Sequence, residues 1–192
     1  NTHTATSGQP MGISINSMAF AFQTTDEVNN MTFYTYNITN QSNNVYSKTY
    51  MTQFVDADLG CSENDRIGCD TARSLGIVYN GVLGGNPCDN GNACLSGTNG
   101  YGCELPMMGF DFFEGPIDTG KNAKQLGMSS FQYFNRANSP KGDPTSAAQY
   151  RNYQTGFWRD GSLVKYGGDG YGTGFATPYV YPGDPSIANQ WS

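Results

Sequence analysis

Residues 13–40 read ISINSMAFAFQTTDEVNNMTFYTYNITN. In the first ten residues the apolar side chains alternate, and the phase slips once at Asn16 and Ser17, which predicts a β-strand with a bulge or bend. The polar TTDEVNN that follows predicts a turn. In the last ten residues both faces carry large side chains, beginning with Met31 and Phe33, which predicts a central strand. Two strands joined by a turn therefore open the chain.

The same patterns continue along the rest of the sequence. TSAAQYRNYQ predicts one short helix, with Asp143 as the N-cap and Pro144 at the first helical position. Glycine-rich pieces after Gly156 predict hairpin turns between short strands. Period-two alternation, or a run bounded by turn residues, predicts four further strands. These strands cover Val45–Val55, Ser74–Gly81 with its Asn-Gly turn, Pro106–Phe113 and Leu126–Phe134.

Length and composition indicate the fold class. The chain has 192 residues, a size that suits one domain, and 14% of them are aromatic. It also contains 25 Gly and 9 Pro, which is typical of short strands joined by many turns. We therefore predict an all-β fold in one domain over residues 1–192. The expected architecture is a jelly-roll-like β-sandwich with one short helix and a long disulfide-stapled loop region, at residues 81–102.

The charge balance excludes two classes of partner. The formal net charge is −6, and the ten Lys and Arg residues form no cluster, so we expect no nucleic acid partner. Anionic membrane surfaces are disfavoured for the same reason. No apolar run approaches the roughly 20 residues that a membrane-spanning helix needs, so we expect no membrane insertion. The first ten residues contain no apolar signal segment, and we expect any secretion signal to lie upstream or to have been removed.

The cysteines favour an oxidising, extracellular location. All five lie in a Gly- and Asn-rich segment, where disulfides would fix loops that a hydrophobic core cannot. We predict one bridge between Cys61 and Cys69, and one among Cys88, Cys94 and Cys103. An odd number leaves one thiol free or paired outside the chain. Five reduced thiols in a cytosolic protein are the alternative. A zinc site is disfavoured, because the chain has no C-x-x-C pair and a single histidine, His3.

An acidic motif, FVDADLGCSENDRIGCD at residues 54–70, suggests a bound cation. Carboxylates packed in one turn repel each other, and calcium accepts six to eight oxygen ligands from irregular loops. The spacing is not that of an EF-hand. The alternative is a turn of solvated Asp, Asn and Gly residues, which favour turns without any ion. The predicted metal ligands are Asp56, Asp58, Asn64, Asp65, Asp70 and, from a later strand, Asp111.

Catalytic residues are not apparent from the sequence. A serine or cysteine nucleophile needs a base, and His3 is the only histidine. Glycoside hydrolysis needs only two carboxylates, but none of the sixteen acidic residues forms a distinctive pair. Trp158, Tyr166 and Tyr171 suggest an aromatic platform on which a sugar ring stacks. The alternative for Trp158 is a place in the core, which this pattern favours.

Several longer motifs, in order along the chain, carry a family resemblance. YMTQFVDADLG, DRIGCD, PMMGFDFFEGP and YQTGFWRDGS resemble a recurrent region of large secreted Bacteroidetes proteins that look like cargo of the type IX secretion system. The resemblance covers residues from about 12 to 192. It implies export to the cell surface or the medium. We also expect the chain to be an excised portion of a longer protein.

These observations lead to two functional hypotheses. The first is a non-catalytic extracellular structural or adhesion module of a secreted or cell-surface protein, with calcium as a structural ion. Its partners would be other protein chains of a surface assembly or a surface polysaccharide. The second is a carbohydrate-binding module of a secreted polysaccharide-processing enzyme. An apolar chain-to-chain surface or strand exchange would favour the first, and an exposed aromatic groove the second.

Overall fold

A computed structural model describes residues 6–59, 65–81, 106–118, 124–135 and 138–192. The chain divides into two compact units, unit 1 over Asn1–Thr49 and unit 2 over Tyr50–Ser192. Within the described ranges the regular structure is mostly antiparallel β-sheet, with one short α-helix. The predicted all-β class is therefore confirmed. The predicted stapled loop lies outside the described residues, apart from Gly81.

Unit 1 is built on a two-stranded ribbon, which consists of β1 (Ile13–Ala21) and β2 (Thr32–Asn40). A 3-10 helix, Glu27–Asn30, joins the strands, and the Asp26 carboxylate caps it by accepting a 3.2 Å hydrogen bond from the Val28 N–H. The antiparallel register runs without interruption along the full length of both strands. The predicted bulge is therefore wrong.

The shift in apolar phase has a different structural meaning. Because side chains alternate along a strand, Ile13 and Ile15 lie on one face of the ribbon, whereas Met18 and Phe20 lie on the other. Among the described residues β2 pairs only with β1, so the predicted central position of β2 is also wrong. Large side chains on both faces therefore do not indicate a central strand here.

The predicted strand over Val45–Val55 is not formed. In unit 1 the chain instead folds back at the open end of the ribbon. The Gln41 N–H donates a 2.8 Å hydrogen bond to the Gly12 carbonyl, and the Tyr46 hydroxyl donates to the Met11 carbonyl. Alternating side chains in Val45–Val55 therefore have no neighbouring strand among the described residues.

Unit 2 contains a three-stranded antiparallel sheet in the order β3–β4–β5. These strands are Asp65–Asp70, Leu75–Asn80 and Met107–Asp111, so two predicted strands, over residues 74–81 and 106–113, are confirmed. Two very short strands, β6 (Ile117–Asp118) and β7 (Lys124–Gln125), form a separate pair. The predicted strand over Leu126–Phe134 is reduced to a single bridge between Phe131 and Tyr179.

The predicted helix is confirmed as α1, Ala147–Gln154, but its predicted N-cap is wrong. Ser146 caps the helix, because its hydroxyl accepts a 3.4 Å hydrogen bond from the Gln149 N–H. The Gln149 side chain reaches back and accepts a 2.7 Å hydrogen bond from the Thr145 N–H. This arrangement is similar to a capping box: it satisfies the Gln149 N–H of the first turn and the Thr145 N–H just before the N-cap. Asp143 lies before it.

The core of unit 2 is formed by the C-terminal segment. Trp158, Val164, Val180 and Trp191 are buried together, and tyrosine rings pack around them. Both indole N–H groups donate to one glycine-rich loop, Gly167–Gly170. Trp158 Nε1 lies 2.9 Å from the Gly170 carbonyl oxygen, and Trp191 Nε1 lies 2.8 Å from that of Gly168. The loop is thus fixed from inside the core.

Candidate functional site

The ribbon of unit 1 exposes large apolar side chains on both faces. Ile15 is 56% exposed, Tyr34 57% and Tyr36 58%, all on one face. Met18, on the opposite face, is 59% exposed. Isolated exposed apolar residues are common in soluble proteins, but a contiguous set on one element indicates an interaction surface. The other exposed members of the ribbon are Ile13, Phe20 and Ile38.

Within the part of the chain that the structure describes, the outer edges of the ribbon lack the usual protection against strand pairing. Neither β1 nor β2 contains a charged residue or a proline, and the register shows no bulge. Among the described residues, no backbone hydrogen bond reaches either outer edge. Natural proteins normally protect edge strands with lysine, proline, bulges or a covering segment. This ribbon therefore has the features of a strand that pairs with another chain.

In the acidic motif, Asp65 stabilises a local network. Asn80 Nδ2 donates to Asp65 Oδ1 at 2.8 Å and to the Leu59 carbonyl oxygen, also at 2.8 Å. The Leu59 N–H donates to Asp65 Oδ2 at 3.1 Å. Burial raises the pKa of Asp65, and the negative charge of Asp58 raises it further. Asp65 and Asn80 together close the segment before β3 onto the sheet.

Asp70 is neutralised by a neighbouring arginine. Arg73 forms a salt bridge with the Asp70 carboxylate, which also accepts hydrogen bonds from the N–H groups of Ala72 and Arg73, at 2.9 Å and 3.0 Å. The hydrogen bond from the Arg73 side chain is the main reason why the pKa of Asp70 lies below its usual range. Asp70 therefore has its countercharge within the β3–β4 turn.

The structure separates the acidic residues that were predicted to share one calcium ion. Asp65 and Asp70 begin and end β3, which places their backbones about 16 Å apart, with side chains on opposite faces. Oxygen ligands of one calcium ion all lie about 2.3 to 2.6 Å from it. Asp111 lies in the same cross-strand row as Asp70 but one strand further away, beyond Leu75. The prediction that all these residues bind one calcium ion is therefore wrong.

Of the other predicted ligands, Asp58 lies near Asp65. Asp56 and Asp58 are exposed, and Asp58 is close enough to raise the pKa of Asp65, whereas Asn64 lies outside the described residues. Within the described ranges, no three His, Cys, Asp or Glu side chains form a group that could hold a metal ion. Among the described members of the predicted set, the structure therefore brings together Asp58 and Asp65.

Asp111 lies at a separate, open pocket of about 290 Å³. Its Oδ1 atom is buried and has no hydrogen-bond partner in the described structure. Arg73, Gln125 and the exposed ring of Phe113 also line this pocket.

The predicted aromatic platform is not formed as expected. Trp158 is fully buried, so its role as a sugar-stacking residue is wrong. Tyr166 and Tyr171 are partly exposed, at 38% and 40%. However, the Tyr166 ring packs against Phe175 and Trp191, with centroids 4.8 Å and 4.7 Å away. A role of Tyr166 and Tyr171 in ligand binding stays a prediction.

Among the cysteines, only Cys69 is described. It is a free, buried thiol whose Sγ atom lies 3.5 Å from the Val180 carbonyl oxygen, so the predicted bridge from Cys69 to Cys61 is not formed. Burial is the main reason why the pKa of the Cys69 thiol is raised to about 12. The thiol is packed as a core side chain. Cys61, Cys88, Cys94 and Cys103 lie outside the described residues.

Comparison with protein-family models, curated proteins and solved structures gives no match. In addition, none of the helices in the described ranges has the length and apolar character needed to cross a bilayer. The geometry described above is therefore what supports a function for this chain.

Asn80 is the residue that the sequence analysis missed. The Asn80-Gly81 pair predicts a turn, but Asn80 is the last residue of β4 and is buried, with 4% of its surface exposed. A buried amide requires hydrogen-bond partners, and the Asp65 carboxylate and the Leu59 carbonyl supply them. Only the register of β3 against β4 places these groups together.

Proposed function

We propose that this chain is a non-catalytic structural module of an extracellular assembly, and that it joins another protein chain by strand addition at the ribbon. In strand addition, an extended segment of the partner pairs with an open sheet edge through main-chain hydrogen bonds, while alternate side chains supply specificity. We also propose that the complete fold is a jelly-roll-like β-sandwich, in which the cysteine-rich segment forms a disulfide-stapled loop.

A single observation carries the proposal. The ribbon has two nine-residue strands without charge, proline or bulge, and its exposed apolar side chains occupy both faces. An isolated two-stranded hairpin is only marginally stable in water, whereas three or more strands with an apolar face are stable. A strand added by a partner therefore supplies backbone hydrogen bonds and covers apolar surface at once. The extracellular location rests on the resemblance to secreted Bacteroidetes proteins.

Binding of an extended peptide tests this function. A fluorescently labelled peptide with the sequence of residues 32–40 is expected to bind the chain, and Ile15→Lys is expected to weaken that binding by about tenfold or more. The physical reason is that a lysine at the third of the nine residues of β1 places a charge inside the new strand pair. Fluorescence anisotropy at a series of chain concentrations measures the dissociation constants.

Val45→Lys is the matched control. Val45 is 93% exposed, lies in unit 1 and is outside both strands, so the same chemical change there should leave peptide binding unaltered. Circular dichroism of both variants checks that unit 1 stays folded. If the peptide fails to bind the unmodified chain, or if both lysine variants bind it equally well, the ribbon is not a strand-addition site. A surface polysaccharide would then be the partner to test next.

We also propose that a structural calcium ion, if the chain binds one, uses Asp58 and Asp65 together with oxygen atoms of the adjoining segment. These two carboxylates are the acidic pair that the structure brings together, and Asp65 retains lone pairs beyond the hydrogen bonds that it accepts. Asp56, two residues before Asp58, and Glu63, two residues before Asp65, are the nearest further carboxylates in the sequence.

Thermal unfolding with and without calcium tests this site. Calcium at a hundred times its dissociation constant should raise the free energy of unfolding by about 2.7 kcal/mol, and a chelator should abolish the gain. Asp58→Asn should remove most of the calcium-dependent stabilisation, because it deletes one of the two charges. Asp26→Asn, in the turn of unit 1, should leave it intact. A melting temperature indifferent to both calcium and chelator rules the ion out.

A further inference from the structure

We infer that the peptide bond between Lys48 and Thr49, at the end of unit 1, is a processing site for a protease that cuts after basic residues. Such an enzyme has an acidic pocket that accepts a lysine or arginine side chain. The partner is therefore a protease of trypsin-like preference, and its products are residues 1–48 and 49–192. This inference goes beyond the proposed function and does not depend on it.

The sequence around Lys48 offers such an enzyme one target. Lys48 is the first lysine or arginine of the chain, and the next is Arg66. Residues 28–55 contain no acidic residue and no proline, so Lys48 carries the one formal charge in this stretch. That charge attracts an acidic specificity pocket, although the chain as a whole has a net charge of −6. The first 65 residues can therefore be cut at a single bond.

Cleavage at this bond leaves the regular structure of both units whole. In unit 1 the ribbon precedes Lys48, and so do Gln41 and Tyr46, whose hydrogen bonds close its open end. Unit 2 begins at Tyr50, so its sheet, its helix and its core all follow the bond. Hydrolysis here divides the chain into two compact parts without opening a strand pair.

The backbone on both sides of Lys48 is accessible. Every residue from 47 to 54 is exposed, and proteolytic nicking concentrates in exposed polar segments. Within the described ranges, residues 45–47 and 49–54 make no backbone–backbone hydrogen bond. An extended peptide binds its receptor through main-chain hydrogen bonds, so a protease needs backbone groups that no other strand occupies. A contact that would have to yield is the 3.3 Å hydrogen bond from the Thr49 hydroxyl to the Tyr46 carbonyl.

The conformation of Lys48 also favours this reaction. Its φ of +54° lies in the left-handed region, where an L residue is strained. Extension of the backbone in a protease cleft relieves this strain. In the reaction, water adds to the Lys48 carbonyl carbon and the C–N bond to Thr49 breaks. Thr49 leaves with a free amino group, and Lys48 keeps a carboxylate.

The other described basic residues lack this combination. Arg66 lies in β3 and Arg151 in α1, and Arg73 lies in the tight β3–β4 turn, where its N–H donates to the Asp70 carboxylate. A protease reaches such sites only through local unfolding, so cleavage is slowed in proportion to the population of the open form. The remaining four are Lys124 in β7, and Lys141, Arg159 and Lys165, whose backbone groups are hydrogen-bonded.

Brief digestion of the full chain with trypsin, as the probe protease, tests the inference. Intact-mass spectrometry at successive times should show residues 1–48 and 49–192. The bond after Lys48 should be cut about tenfold or more faster than the bond after each of the seven other described basic residues. The purified 49–192 product should unfold at the same urea concentration as unit 2 of the uncut chain. Cutting at Lys48 no faster than at those seven bonds, or an unfolded 49–192 product, overturns the inference.

Lys48→Gln should abolish both products. Lys124→Gln is the matched control, because it removes another exposed lysine and should leave the rate of the first cut unchanged. If the Lys48→Gln variant is cut at its other described basic residues as fast as the unmodified chain is cut at position 48, the inference is also contradicted. The peptide-binding experiment uses neither variant, so the proposed function and this inference succeed or fail separately.

Discussion

Trp158→Ala is expected to lower the free energy of unfolding of unit 2 by about 3 to 5 kcal/mol, the range typical of a large aromatic residue removed from a core. Trp158 is fully buried against Val164 and Val180. The Tyr133 ring packs nearly perpendicular to the indole, with the two ring centroids 5.4 Å apart. The alanine leaves a cavity and also removes one of the two donors to the Gly170 carbonyl, which keeps the 2.8 Å hydrogen bond from the Lys165 N–H. Urea unfolding followed by far-ultraviolet circular dichroism measures the loss.

Trp158→Phe separates the two contributions. It keeps most of the buried ring but removes the indole N–H, so one of the two hydrogen bonds to the Gly170 carbonyl is lost while much of the packing remains. A loss of about 1 to 3 kcal/mol is expected from the lost hydrogen bond and the smaller ring. If Trp158→Ala unfolds at the same urea concentration as the unmodified chain, the core assigned to the C-terminal segment is incorrect.

Gly174→Ala is expected to destabilise unit 2 by about 3 kcal/mol or more, because it combines backbone strain with a collision. Gly174 has a φ of +120°, a conformation that L residues rarely adopt. A Cβ atom there would lie only 2.3 Å from the Tyr166 carbonyl oxygen. That carbonyl belongs to the hairpin in which the Tyr166 N–H donates a 2.9 Å hydrogen bond to Phe175, so relief requires movement of the backbone.

Gly172→Ala is the control for the backbone strain alone. Gly172 has a φ of +99°, but an added Cβ atom would meet nothing within 4 Å. We expect this variant to lose about 1 to 2 kcal/mol, the cost of forcing an L residue into a left-handed conformation. Thermal unfolding of the two variants side by side gives the difference. Equal losses would mean that the close approach between Gly174 and Tyr166 is absent in solution.

Local patterns predicted the elements whose partners are close in sequence. Alternation along β1 and β2 and the turn between them identified the hairpin, and the polar start of α1 identified the one α-helix among the described residues. The apolar phase shift in β1 was misread as a bulge, because alternation tells which side chains share a face but not whether a face is covered. The Val45–Val55 pattern failed for a related reason, since a strand needs a neighbour that the pattern cannot supply.

The acidic motif shows that the same limit applies to predicting a binding site from the sequence. Residue types alone grouped its carboxylates, although Arg73 follows Asp70 by three residues and could have been recognised as its countercharge. The hydrogen bond between Asp65 and Asn80 could not have been recognised from the sequence, because it depends on the register between β3 and β4. Burial of Trp158 likewise depends on contacts with residues more than 20 positions away, such as Val180.

Because both indoles lie in one unit, fluorescence signals from the two units can be distinguished. The chain has two tryptophans, Trp158 and Trp191, and both lie in unit 2 against the Gly167–Gly170 loop. Intrinsic emission excited at the red edge of the indole band therefore reports on unit 2 alone. Tyr34 and Tyr36 are the native chromophores of the ribbon. A tryptophan introduced into β1 would give unit 1 its own signal, so that docking of a partner and melting of the core could be recorded independently in one sample.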